Sequence, residues 1–305
     1  MKKNAAVVLF LAALVTACAG TGFSLPPVAG GSGGERLPGK IVWQDLLTDT
    51  PQQTEAFYSG LFGWEFEPLG GGVNYTLIRH RGRLIGGLVD QNALPATADI
   101  SQWVVAMSVA DIEKSVQTVA DAGGEVFTPA TSLGERGDIA VVADPAGALM
   151  ALLQTRDGDP VDSANADPAT GDFLWRELWT VEVDRAAEFL ARLALFAVES
   201  IEIDAADKSV QYRLLKTADL ARVGVRTTPV PQMPPMWVSY LRVADQNELA
   251  AILAKVPGLG GEILVPALAR PGGGYVAVIA GPSGAGIALQ TWPVALPEQT
   301  EGEEL

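Results

Sequence analysis

The chain repeats itself, and the repeat limits its architecture more than any other feature. Trp43-Gln44-Asp45-Leu46 opens a stretch that runs through Ala56-Phe57-Tyr58 to Phe62-Gly63-Trp64. Trp175-Arg176-Glu177-Leu178 opens a second, running into Glu188-Phe189-Leu190, and in both the Trp lies fourteen residues before the Phe. Each copy reads as a strand, a turn and an amphipathic helix. A unit of this size cannot bury its apolar face alone, so copies must pack on one another.

A second layer of matches divides each half again. Trp103…Val109-Ala110-Asp111 matches Trp237…Val243-Ala244-Asp245. Gly123-Gly124-Glu125 matches Gly260-Gly261-Glu262, and Asp144-Pro145-Ala146-Gly147 matches Gly281-Pro282-Ser283-Gly284. Asp111 and Asp245 suit helix N-caps, where a carboxylate accepts free backbone N–H groups. The pattern predicts four strand–helix–three-strand units, paired as residues 39–155 and 171–293 about a Gly-, Asp- and Ala-rich linker, 156–170. Arg79-His80-Arg81-Gly82-Arg83 reads as a hairpin turn, with His80, the only histidine, as a solvated surface imidazole.

These motifs together resemble the vicinal oxygen chelate superfamily, the glyoxalase, bleomycin-resistance and dioxygenase group. The resemblance implies an α+β fold: two tandem glyoxalase-like domains, each of two βαβββ units whose strands curl into a U-shaped mixed sheet around a cavity. In metal-dependent members it also implies a divalent ion held by His, Gln or Glu at matched strand positions. Here those positions fall on Trp43 and Trp175, Val104 and Val238, and Ala151 and Ala288. None offers the oxygen or imidazole donors that a catalytic metal needs. No metal and no cofactor is therefore expected, and the residues favour a binding role over glyoxalase, dioxygenase or epimerase chemistry.

Both ends read as lying outside the fold. Residues 1–17 have the form of a secretory leader: Lys2 and Lys3, then an apolar run from Ala5 to Val15, too short to span a bilayer. Val15-Thr16-Ala17-Cys18 looks like a bacterial lipobox, which implies lipidation of Cys18, the only cysteine, and attachment to a membrane through the N-terminal lipid. A cell-envelope location follows, at the outer membrane if the cell has two. Residues 18–38, rich in Gly and Pro, read as a flexible tether, and 294–305 as an acidic tail. A formal net charge of −15 argues against nucleic acid as a partner, since phosphate contacts need clustered Lys and Arg.

The candidate ligand-binding residues are aromatic and acidic. Side chains two apart on a strand share a face, so Trp43 goes with Asp45, and Trp175 with Glu177 and Trp179. Tyr75 and Tyr212 hold equivalent places on a middle strand. This composition fits a small, partly apolar ligand. It also fits aromatics that simply fill the concavity, with carboxylates capping backbone or pairing with an arginine. Two other readings remain: a glyoxalase- or dioxygenase-type enzyme with non-standard ligands among Gln44, Asp45, Glu177 and His80, and a module that serves only to dock a partner.

Overall fold

A computed structural model describes residues 24–28, 33–70, 74–93, 99–162, 168–202, 209–229, 232–270 and 273–292. The leader, Cys18, the acidic tail, the middle of the linker and part of the tether lie outside the described residues.

The first half runs β1 (Ile41–Thr48), α1 (Pro51–Phe62), β2 (Glu65–Pro68), β3 (Tyr75–His80) and β4 (Arg83–Asp90). It restarts with β5 (Gln102–Ser108), α2 (Ile112–Asp121), β6 (Glu125–Val126), β7 (Thr131–Ser132), β8 (Gly137–Ala143) and β9 (Leu149–Thr155). The second half follows the same order. It runs β10 (Phe173–Thr180), α3 (Val183–Ala194), β11 (Ala197–Ser200), β12 (Tyr212–Thr217) and β13 (Leu220–Thr227). It then continues with β14 (Met236–Val243), α4 (Gln246–Lys255), β15 (Glu262–Ala269), β16 (Tyr275–Ala280) and β17 (Gly286–Thr291).

Each half forms one mixed sheet. The orders are β2-β3-β4-β1-β5-β9-β8-β6, with β7 added on β8, and β11-β12-β13-β10-β14-β17-β16-β15. The central strands are antiparallel (β1 with β5, β10 with β14), and each is flanked by a parallel neighbour. The registers match: Trp43 lies opposite Ala106 and Asp45 opposite Val104, while Trp175 lies opposite Tyr240 and Glu177 opposite Val238. This is the α+β architecture that the resemblance implies.

The helix signals work as the sequence implies. The Asp111 carboxylate accepts the Lys114 N–H, and Asp245 accepts that of Glu248. α1 stops at Gly63, which takes the left-handed conformation at φ 70°. α3 ends before Leu195, itself left-handed at φ 53°.

Apolar clusters run across the boundary between the halves. One apolar cluster joins Met107 and Met150 of the first sheet and Val119 of α2 to Phe189 and Leu190 of α3 and Val225 of the second sheet. Another joins Phe57 and Tyr58 of α1 to Leu249 of α4 and Ile279 of β16. The repeated motifs meet here. A Cβ at Gly124 would lie 3.0 Å from the Phe189 ring, and one at Gly261 would lie 2.4 Å from that of Phe57. Each Gly-Gly-Glu thus makes room for the repeated Phe of the other half.

Polar links cross the same boundary. Trp64 Nε1 donates to Gly171 O at 3.0 Å, and Ser239 donates to Gln44 Oε1 at 2.9 Å. His80 is a correction to the sequence reading: it is 4 % exposed, with Nδ1 2.6 Å from the Asp172 carboxylate, which also receives Arg83. Asp172 lies 92 residues away in the chain, so nothing local to the turn reveals the pairing.

Candidate functional site

The helices cover one face of each sheet, and the opposite, concave faces carry the candidate residues. In the first half, Trp43 Nε1 donates to Asp45 Oδ1 at 2.9 Å and approaches the Tyr75 hydroxyl at 3.1 Å. Tyr75 donates to the same carboxylate oxygen at 2.6 Å. Arg136 completes the cluster: Nη1 donates to the Tyr75 hydroxyl at 2.9 Å, and the guanidinium carbon sits 3.8 Å from the Trp43 ring centroid. This cation–π stacking is desolvated, since Arg136 is only 1 % exposed. Burial raises the Asp45 pKa, and Arg136, Tyr75 and Trp43 pull it back only in part. Burial likewise pushes the Tyr75 phenol far above its ordinary range, so it stays a donor.

The chain's own N-terminal residues close this face. Leu25 and Val28 are buried in the same cluster as Trp43, Tyr75, Val104 and Ala151. Leu25 N donates to Leu133 O at 2.9 Å, Glu135 N to Ser24 Oγ at 2.9 Å, and Arg136 Nε to Pro26 O at 3.0 Å. Residues 24–28 thus pack on the sheet, within the stretch whose composition reads as a tether. Their local composition is that of a linker, but two apolar side chains find a concavity to fill, and burying each stabilises by about 1.5–3 kcal/mol.

In the second half the same floor is open. Glu177 is 1 % exposed, and its Oε2 receives Trp179 Nε1 at 3.0 Å and the Tyr240 hydroxyl, with Arg226 Nη1 at 4.0 Å. Trp175 Nε1 donates to the Tyr212 hydroxyl at 3.1 Å. Burial first, then the Glu177 charge, hold the Tyr212 and Tyr240 phenols well above their ordinary pKa. Above this floor lies a cavity of about 310 Å³, with Trp179, Tyr212, Tyr240, Arg226 and Arg270 around it and apolar walls from Val265, Val276 and Val278. Its size is at the lower end of the roughly 300–1,000 Å³ typical of small-molecule sites.

The structure thus brings together Trp43, Asp45 and Tyr75 in one half and Trp175, Glu177 and Tyr212 in the other. Sequence reasoning missed Arg136, Tyr240, Arg226 and Arg270. Tyr240 could have been found as the second inward residue of its strand after Val238. Arg136 carries no such signal, since a lone arginine in a loop is ordinarily solvated.

The positions that would hold a metal do converge. Trp43, Val104 and Ala151 share the first concave cluster, and Trp175, Val238 and Ala288 share the second. They present carbon and indole N–H, so these residues do not fit a divalent ion. Among the described residues no group of three or more His, Cys, Asp and Glu could hold one elsewhere.

No family model matches the chain. The chain is 30% identical over 255 residues to the protein named "Putative glyoxylase CFP32" of Mycobacterium bovis, covering 82% of this chain and 94% of that one. It is 28% identical over 288 residues to the anthracycline biosynthesis protein DauV of a Streptomyces species, covering 87% and 98%. Among solved structures, the 2,3-dioxygenase LapB of Pseudomonas sp. KL28 superposes with a TM-score of 0.58 at 12% identity, covering 88% of this chain and 97% of that one. The Mn(II)-bound glyoxalase of Novosphingobium aromaticivorans gives 0.56 at 16% identity, covering 83% and 82%. With the paired sheets and a relative matched along nearly its whole length, the chain belongs to the glyoxalase/dioxygenase-like vicinal oxygen chelate superfamily.

Proposed function

We propose that this protein is a lipid-anchored, metal-free binding protein that takes a small, partly apolar ligand in the cavity of its second half. The observation that carries the reading is the contrast at the matched positions. The second floor lies beneath about 310 Å³ of space walled by valines, while the first is filled by Leu25, Val28 and Arg136. Trp, Val and Ala at the metal positions speak against the metal-dependent chemistry suggested by the names of the glyoxalase and dioxygenase relatives. The lipid anchor rests on the Val15-Thr16-Ala17-Cys18 motif. No helix among the described residues is long and apolar enough to cross a membrane.

A thermal-shift screen of the purified mature protein against small aromatic and alicyclic compounds tests the binding role, with elemental analysis on the same sample. A ligand that binds only the folded state at a hundredfold excess over its Kd stabilises by about 2.7 kcal/mol and raises Tm. The expected result is such a shift, with well under one equivalent of zinc, iron, nickel or manganese. Stoichiometric metal would restore the enzyme reading. A screen without any shift would favour a docking module.

A further inference from the structure

We infer that the ligand of the second-half cavity is a small monoanionic acid, a carboxylate or phenolate on a one- or two-ring apolar body, with Arg270 as its counter-ion. This rests on the proposed binding role and adds the ligand's chemical class.

Charge counting in the two halves leads there. Among the described residues the first concave face holds one carboxylate, the half-buried Asp45, and one guanidinium, the buried Arg136. The second holds one carboxylate, Glu177, and two guanidiniums, Arg226 and Arg270. Arg226 stands 4.0 Å from Glu177 and takes the part that Arg136 takes in the first half. Its Nε is also directed to Thr227 O at 3.3 Å.

Arg270 has no such partner. Among the described residues its side chain makes no ion pair or hydrogen bond, and its bonds are main-chain ones to Gly273 and Gly274. It lines the cavity beside Tyr212 and Tyr240. Counted over the described residues, the cavity therefore carries one positive charge in excess, within a chain whose formal net charge is −15.

The remaining polar groups do not compete for an anion. The Tyr240 hydroxyl donates inward to Glu177, and the Tyr212 hydroxyl, which accepts from Trp175, turns its own hydrogen toward the same carboxylate. Guanidinium N–H groups are the donors left to meet a ligand, and their planar fork suits a carboxylate. One surplus charge matches one negative charge. A dianion would leave one charge uncompensated, and an amine would meet two cations. The walls of Trp179, Val265 and Val276 call for an apolar body.

The experiment uses three compounds of one shape and different charge: 1-naphthoate, 1-naphthamide and 1-naphthylmethylamine. Each is titrated into the full mature chain with tryptophan fluorescence as readout. The expected order is naphthoate tightest, the amide weaker by about tenfold or more, and the amine without measurable binding. Arg270→Gln should bring acid and amide to equal affinity, and Arg270→Lys should keep most of the preference. If the amide or amine binds wild type as tightly as the acid, the anion inference fails and the binding role stands. If none of the three binds, both fail. The wild-type series decides this even if Arg270→Gln does not fold.

Discussion

In the first half, Trp43, Tyr75 and Asp45 lie beneath a buried arginine and the chain's own Leu25 and Val28, whereas the matched Trp175, Tyr212 and Glu177 lie under open space. The repeated residues build the floor, and residues outside the repeat decide what stands on it. Where the first half has Leu47, Val89 and Ala106, the second has Trp179, Arg226 and Tyr240 on the same strand positions. Those larger groups surround Glu177 without filling the concavity. In the first half a loop arginine and five N-terminal residues provide the cover. A duplicated sheet can thus keep one concave face as core and leave the other as a site.

The largest difference is expected from the two arginines. Arg136→Ala removes a buried cation stacked on Trp43 and leaves the half-buried Asp45 without its counter-charge, which should cost about 3–5 kcal/mol in urea unfolding. Arg226→Ala should cost about 1 kcal/mol, since that guanidinium stands 4.0 Å from Glu177 and its side chain is 21% exposed. Equal losses would mean that the faces are closed to the same degree.

Paired glycines give a middle-sized test. A Cβ on Gly87 would stand 2.1 Å from the Tyr75 hydroxyl and 2.3 Å from Asp45, and one on Gly224 would stand 2.2 Å from the Tyr212 hydroxyl. Tyr75 is pinned by Arg136, so Gly87→Ala should destabilise by about 1–3 kcal/mol. Tyr212 can swing into the cavity, so Gly224→Ala should cost less stability and reduce ligand affinity instead. Chemical denaturation and naphthoate titration of the two variants separate these outcomes.

The smallest effect is a pH dependence. The folded-state pKa of Asp45 is raised from 3.8, chiefly by burial, so the folded protein holds this proton more tightly than the unfolded chain does. Its contribution is fully present below the unfolded pKa and is lost as pH rises through the folded one. Wild-type stability should therefore fall, relative to Asp45→Asn, as pH is raised upward from 3.8. Parallel stability–pH curves would contradict the shift.

Local pattern was enough to read the four units, their helix caps and the shared faces of Trp43 with Asp45 and Trp175 with Glu177. Those depend on residues a few positions apart, where strand and helix periods govern. It was not enough for groups brought together by the tertiary fold. Leu25 among Gly and Pro looks like linker because its site is formed by Leu133 and Tyr75. His80 among arginines looks solvated because its partner, Asp172, belongs to the other half. Arg136 looks like an exposed loop residue because Trp43 and Tyr75, which hold it, come from distant strands. The shared interior was hidden for the same reason: Phe57 meets Gly261 and Phe189 meets Gly124 only when the halves pack.

Equilibrium dialysis of 1-naphthoate against the full mature chain, carried to saturation, tests the central contrast most directly. One open face and one closed face predict one bound equivalent per chain, with Leu25→Ala adding nothing to the second-half site. Two equivalents would show that the first face is open as well, and none would contradict an open second face that takes this acid.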